Sequence, residues 1–337
     1  MDNKSAKTIW FDFTNVPHVN FLLPIIKHFD HLNHVYSIRD FAETKSLFEK
    51  LIAREYLLIG KHKGQSKILK VLGSVNRTFK LQNSLPKFDI KISVGGDSSS
   101  VVAKLRGKKS ITFDDNEKAP NWRYSRFSDL AFWPDVIDRK VLLKQGFKKN
   151  KLFQYSGFKE DLYLADYKPD ETFLSTLPFE KYVVVRPENI QANYVDGQNS
   201  IVPLLLNSLE KLNKNILYLP RYKHDIEYAK NISNLFTPTA ALNGLDVCYN
   251  AEAVFTGAGT MAREAACMGV PAFSFYTGKE LLTVDKKMID QEWIYFSRNH
   301  SDLIEKFKTS LKRAPNLERP KEVKKQILAK LDDFIGA

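Results

Sequence analysis

The stretch Val254–Phe275 reads VFTGAGTMAREAACMGVPAFSF. An apolar run, Ala253 to Phe255, predicts a strand that breaks at Gly257-Ala258-Gly259-Thr260. The spacing then predicts a helix over Met261–Met268, stopped by Gly269, and Pro271 opens a second strand over Ala272–Phe275. A glycine loop between a strand and a helix start presents backbone N–H groups that no preceding turn can satisfy, and the helix dipole adds partial positive charge there. That combination suits an anion, most often phosphate. Gly257, Gly259 and Thr260 are therefore candidate phosphate ligands. Arg263 and Glu264 are expected in the first turn, Glu264 as an acceptor for ribose hydroxyls and Arg263 as added charge or a neighbour's partner. Such junctions also occur in α/β domains for steric reasons alone. This one lies late in the chain, so it is not the first-turn dinucleotide fingerprint.

Working outward, the whole chain alternates short apolar runs with helical periods, as expected of parallel sheets with crossover helices. Thr8–Phe13 (TIWFDF) reads as a buried first strand, followed by Thr14-Asn15-Val16-Pro17-His18 and a helix over Val19–Phe29. His18 thus sits in the first βα loop, which faces the ligand crevice in open α/β sheets. It is either a general base, since imidazole titrates near neutrality, or a loop cap. Ser66–Leu85 predicts an amphipathic helix with Ile68, Leu69, Leu72, Val75 and Phe79 on one face and Lys67, Lys70, Arg77 and Lys80 elsewhere. The expectation is that its apolar face packs on the sheet; residues 60–85 also offer a basic surface for a lipid headgroup layer. A strand over Asp89–Val94 opens into Gly95-Gly96-Asp97-Ser98, with Asp97 or Ser98 as helix cap. Ser110–Phe113 ends in Asp114-Asp115-Asn116-Glu117, where crowded carboxylates should hold one proton near neutral pH, a property suited to general base work by Asp115 or Glu117. A solvated loop, or an anchor for Arg123 and Arg126, is the other reading. Leu130–Trp133 is expected to be the last strand of the first domain, with a linker over 155–180. Lys181–Val185 starts the second domain and leads into Arg186-Pro187-Glu188-Asn189; Arg221 follows a strand over Ile216–Leu219. Both arginines are candidate phosphate or carboxylate ligands, having fixed forks of donors.

The loop, helix and Gly269-Val270-Pro271 resemble the donor-nucleotide segment of GT-B-fold enzymes, which include UDP-sugar glycosyltransferases and UDP-N-acetylglucosamine 2-epimerases. With WFDFTNVPHVNFLLPIIKHF from Trp10 and GAGTMAREAA from Gly257, the chain is identified as a member of a bacterial and archaeal family catalogued as a domain of unknown function within that superfamily. The resemblance implies an α/β, GT-B-like fold: two Rossmann-like domains, 1–160 and 161–337, facing each other across a cleft, the last helix returning to the first domain. It further implies that Asp97, in a segment like the Gly-Asp-Thr of the 2-epimerases, belongs to an active site. Arg186-Pro187-Glu188-Asn189 is similar to the epimerases' His-Arg-Arg-Glu-Asn, with Val185 where they carry histidine. That departure counts against a standard epimerase. The family's chemistry implies no cofactor and no metal, only a nucleotide-sugar, UDP-linked, as substrate.

Composition is consistent with this. At 337 residues and 43% hydrophobic, the chain suits two globular domains. Two cysteines, Cys248 and Cys267, are too few for a disulfide framework or thiolate metal site and suit a reducing cytoplasm. MDNKSAK lacks the apolar core of a signal peptide, and no apolar run reaches the roughly 20 residues that span a bilayer. Residues 1–160 carry 29 Lys/Arg against 16 Asp/Glu, and residues 161–337 carry 22 against 23. A basic half joined to a neutral one suggests an anionic or lipid-linked acceptor for the first domain and peripheral contact with a membrane. RNP-type and helix-turn-helix signals are lacking, so nucleic acid is not an expected partner. The expected function is a sugar-nucleotide-dependent glycosyltransferase of cell-envelope polysaccharide or glycolipid synthesis. The alternatives are a 2-epimerase-like enzyme and a non-enzymatic binder of anionic polymer.

Overall fold

The computed structural model describes residues 6–41, 43–61, 67–188 and 200–336, with side chains from residue 71 onward in the third helix. The chain divides into two compact units, one of residues 1–166 with 318–337 and the other of residues 167–317.

The first unit holds a seven-stranded parallel sheet: β1 Thr8–Phe13, β2 Asn33–Asp40, β3 Leu57–Lys61, β4 Ile90–Val94, β5 Lys109–Phe113, β6 Leu130–Pro134 and β7 Leu152–Tyr155. Its order is β3-β2-β1-β4-β5-β6-β7, the doubly wound arrangement that reverses between β1 and β4. The connecting helices are α1 Pro17–His28, α2 Thr44–Leu51, α3 Lys67–Ser84, α4 Asp97–Leu105, α5 Trp122–Ser125, α6 Arg139–Lys144 and α7 Lys159–Leu164. The central strands read as near-continuous apolar runs because both faces are covered. Ile9, Trp10, Phe11 and Phe13 of β1 are fully buried.

The second unit holds β8 Val183–Arg186, β9 Ile216–Tyr218, β10 Leu235–Phe236, β11 Ala253–Thr256, β12 Ala272–Ser274 and β13 Ile294–Phe296, in the parallel order β10-β9-β8-β11-β12-β13. Its helices are α8 Val202–Lys211, α9 Gly244–Asn250, α10 Gly259–Cys267, α11 Thr283–Asp290 and α12 His300–Lys308. Val183, Val185, Leu205, Leu209, Phe255 and Phe273 are among the core residues. The final helix, α13 Glu318–Ile335, belongs to the first unit and packs on α7, where Arg319 grips the buried Asp161 at 2.8–3.0 Å.

Two expectations are corrected here. β6 is not the last strand of its sheet, because β7 pairs alongside it from Ala131↔Leu152 to Pro134↔Tyr155. Four residues with Gln154 among them give too short a periodic signal to read. The apolar face of α3 does not pack on the sheet. Leu72, Val75 and Phe79 are 58%, 62% and 68% exposed, whereas Arg77 is 7% exposed. Arg77 enters the interior as a bidentate partner of Asp12 (2.6 and 3.1 Å), and Leu81 of the helix and Leu85 just beyond it supply the buried apolar contacts. Ile68 and Leu69 lie outside the described side chains.

Candidate functional site

In doubly wound sheets ligands bind beyond the carboxyl ends of the strands flanking the reversal of strand order. In the second unit those strands are β8 and β11. Arg186 ends β8, and Gly257-Ala258 joins β11 to α10. The helix starts at Gly259 rather than Met261. Arg263 and Glu264 therefore fall in its second turn, not its first.

The loop is tighter than its sequence suggests. The Gly257 amide donates to the Arg186 carbonyl at 3.1 Å, and the Ala258 amide donates to Thr256 Oγ1 at 2.9 Å. A Cβ on Gly257 would sit 2.5 Å from Glu188 Cα, so this glycine serves close approach of the two loops. The amides at the opening of α10 itself are those of Gly259, Thr260 and Met261, where helix geometry supplies no acceptor. Of the two readings open for Arg263, the structure shows a pairing with a neighbour: it is 3% exposed and bonds Asp285 of α11 at 2.7 Å, with Nη2 3.4 Å from Thr260 Oγ1. Glu264 is buried. It and Arg186 both act on the buried Cys248 thiol, which burial, reinforced by Glu264, drives well above its ordinary range against the pull of Arg186. Arg221 is turned toward the β8 loop, its Nε donating to the Pro187 carbonyl at 2.9 Å, while Asp225 receives its backbone N–H at 2.8 Å. Glu188 is buried and accepts from Ser200 Oγ (2.7 Å) and the Ile201 amide (3.2 Å), tying the loop to the start of α8.

In the first unit the equivalent strands are β1 and β4. His18 lies in the first turn of α1, its Nδ1 3.3 Å from Thr14 Oγ1. Burial first, then Lys159, lower its pKa to about 3 against the opposing pull of Asp12 and Asp115. It is a neutral imidazole at neutral pH and a weak base, and its contacts with the Thr14 amide and hydroxyl favour the loop-cap reading over the general base. Asp115 is buried and paired with Lys159 of α7 at 2.9 Å. Asp97 is the first residue of α4, not its cap, because Gly95 (φ 58°) and Gly96 (φ 113°) adopt left-handed turns before it. It faces Arg123 at 3.5 Å, and its pKa is raised, chiefly by burial. The carboxyl that retains a proton toward neutrality is Asp114, raised to about 6 by burial and by Asp115; Tyr124 Oη donates to it at 2.5 Å. Glu117 is buried within the loop, and its carbonyl accepts from Gln145. The structure thus brings His18, Asp97, Asp114 and Asp115 to neighbouring strand ends, while Glu117 belongs to the loop's packing.

Sequence reading missed Lys159, Tyr124 and the Asp12–Arg77 pair. Burial alone would raise the Asp12 pKa, but Arg77 and hydrogen bonds from Ser37 and Ser99 hold it below its ordinary value. The available signal was an aspartate inside the apolar run TIWFDF, since a buried charge demands a partner. Lys91, buried in β4 with Ser100 Oγ at 2.9 Å, is brought down to about 7 by burial. Among the described residues no cluster of metal-ligating side chains occurs, and no helix is long and apolar enough to cross a membrane.

This fold is that of the GT-B enzymes. The chain is similar to the UDP-GlcNAc 2-epimerase of Methanocaldococcus jannaschii, solved in complex with UDP-GlcNAc and UDP (TM-score 0.70, 15% identity, 97% of this chain and 99% of that one). It is similar to the UDP-N-acetylglucosamine 2-epimerase of Rickettsia bellii (0.71, 15%, 98% and 97%). It also resembles the glycotransferase of kitacinnamycin (0.62, 10%, 99% of each chain). The chain belongs to the family described as "Protein of unknown function (DUF354)", which it matches over residues 7–335. A curated relative from Methanocaldococcus jannaschii, described as uncharacterised, is 26% identical over 313 residues, 88% of this chain and 89% of its own.

Proposed function

We propose that the protein is a glycosyltransferase that uses a nucleotide-sugar, UDP-linked, in polysaccharide or glycolipid synthesis. The amides of Gly259, Thr260 and Met261 take the donor diphosphate, with Arg186 and Arg221 adding charge and Glu264 receiving the ribose hydroxyls. As the acceptor oxygen bonds to the sugar's anomeric carbon, the bond from that carbon to the diphosphate breaks and negative charge grows on the leaving oxygens. Preorganised donors aimed at such charge contribute roughly 3 kcal/mol each to the transition state. The acceptor hydroxyl's proton passes to Asp115, poised by Lys159; His18, neutral and weakly basic, orients the acceptor through a hydrogen bond instead.

The observation carrying this reading over epimerisation is Val185. It is fully buried in the second core, at the position where the 2-epimerases bear histidine, so this juncture carries no imidazole to handle a proton. An epimerase reading draws support from the two solved 2-epimerases of similar fold and from Asp97 beyond Gly95-Gly96. Incubation with UDP-N-acetylglucosamine alone separates the two. The transferase gains thermal stability with UDP and leaves the sugar nucleotide intact. Formation of an epimer or rapid release of UDP supports the epimerase, and absence of any stabilisation by nucleotides or sugar nucleotides overturns both.

A further inference from the structure

Among the described residues, nothing covers the outward face of α3. Val71, Leu72, Val75 and Phe79 are between 53% and 68% exposed, on one side of the helix at i, i+1, i+4 and i+8. Leu58 of the edge strand β3 is 47% exposed. Helices ordinarily turn such a stripe inward. Here the inward face is held by polar contacts instead: Arg77 to Asp12, Arg77 Nε to the Ile59 carbonyl at 3.0 Å, and Ser74 to Ser98 at 3.1 Å. The apolar stripe is thereby kept in water, an arrangement that marks an interaction surface.

Charge identifies the occupant. Besides Arg77, which is turned inward to Asp12, residues 56–88 contain six lysines and no Asp/Glu. Lys80 and Lys87 are exposed beside or just beyond the stripe. A second copy would set two such basic faces against each other, which like-charge repulsion opposes. A purely polar polyanion would leave Phe79 and Val75 unburied. An anionic lipid surface satisfies both features, taking the apolar side chains below its headgroups and the lysines among its phosphates. We infer that α3 and the adjoining edge of β3 seat the protein on an anionic lipid bilayer. This inference rests on surface chemistry alone and stands independently of the transferase reading.

Flotation of the full chain with phosphatidylcholine vesicles, with and without phosphatidylglycerol, tests it in the absence of any substrate. The chain should partition at least about tenfold more strongly into the anionic vesicles, and added salt should weaken that binding. Val75→Ser with Phe79→Ser should reduce binding about tenfold or more at an unchanged melting temperature, since neither side chain is part of the core. Lys80→Glu with Lys87→Glu should reduce it as well. The inference is overturned if the chain ignores anionic vesicles, or if the serine variant binds as the parent does. A dimer in sedimentation equilibrium that the serine variant dissolves would also overturn it, assigning the face to a second copy.

Discussion

Arg263 lies one turn from the amides assigned to the donor phosphates, and its role can be decided by energetics. Replacing it with Met leaves the Asp285 carboxylate, whose side chain is 9% exposed, without the guanidinium 2.7 Å away. Breaking a buried pair from one side costs about 3–5 kcal/mol, because a charge is left desolvated and uncompensated. For a unit of this size each kcal/mol moves the midpoint by about 2–4 °C, so Arg263→Met should lower it by roughly 6–20 °C. Removing both charges with Arg263→Met and Asp285→Leu should restore stability to within about 1–2 kcal/mol of the parent, since apolar replacements of buried pairs are often close to neutral. Calorimetric unfolding measures this, and titration calorimetry with UDP gives the functional half. A pair that only joins α10 to α11 leaves UDP affinity in the restored double variant within about twofold of the parent, a change below 0.5 kcal/mol. A double variant that is stable but has lost UDP would show that Arg263 contacts the nucleotide. One as unstable as Arg263→Met would refute the energetic reasoning.

Asp114 supplies a pH prediction: its folded pKa of about 6 exceeds the ordinary aspartate value of 3.8, so the native state binds the proton more tightly. Stability from this group is present at pH 4 and lost as pH rises through 6; Asp114→Asn should remove that slope, worth about 1–3 kcal/mol for this partly exposed group, in urea titrations at pH 4, 5, 6 and 7. Gly257→Ala should destabilise by roughly 2 kcal/mol or more, because its Cβ would strike the Glu188 backbone; a variant as stable as the parent in urea unfolding would show that the two loops do not need this close approach.

The alternation of buried strands and helices was legible from the chain alone. TIWFDF marks β1 at its observed limits, Thr8–Phe13, because a short apolar run bounded by Thr14-Asn15 and Pro17 has few other places to go. The strand–glycine–helix junction at Gly257 was legible for the same reason, as was the placement of His18, Asp97, Asp115 and Arg186 at or just after the ends of strands in parallel sheets. The sequence did not disclose which groups these residues face. Arg263 reads as a helix-start cation, yet Asp285, 22 positions later, takes it into the interior. Which of the crowded carboxyls retains a proton toward neutrality was not legible either: it is Asp114, where burial and the neighbouring Asp115 both oppose ionisation, while Asp115 pairs with Lys159 from α7.

The orientation of α3 shows the limit most directly. Its hydrophobic pattern predicts that Leu72, Val75 and Phe79 turn inward, and local periodicity contains nothing to contradict that. Asp12, isolated in an apolar strand 65 residues away, requires a cation, and Arg77 meets that need only if the helix rolls its apolar stripe outward. Local pattern determines which segments become helices and strands, because those choices depend on neighbours three or four positions away. Which face is buried, and which charges meet, is decided by pairings between distant segments that exist only once the sheet has assembled.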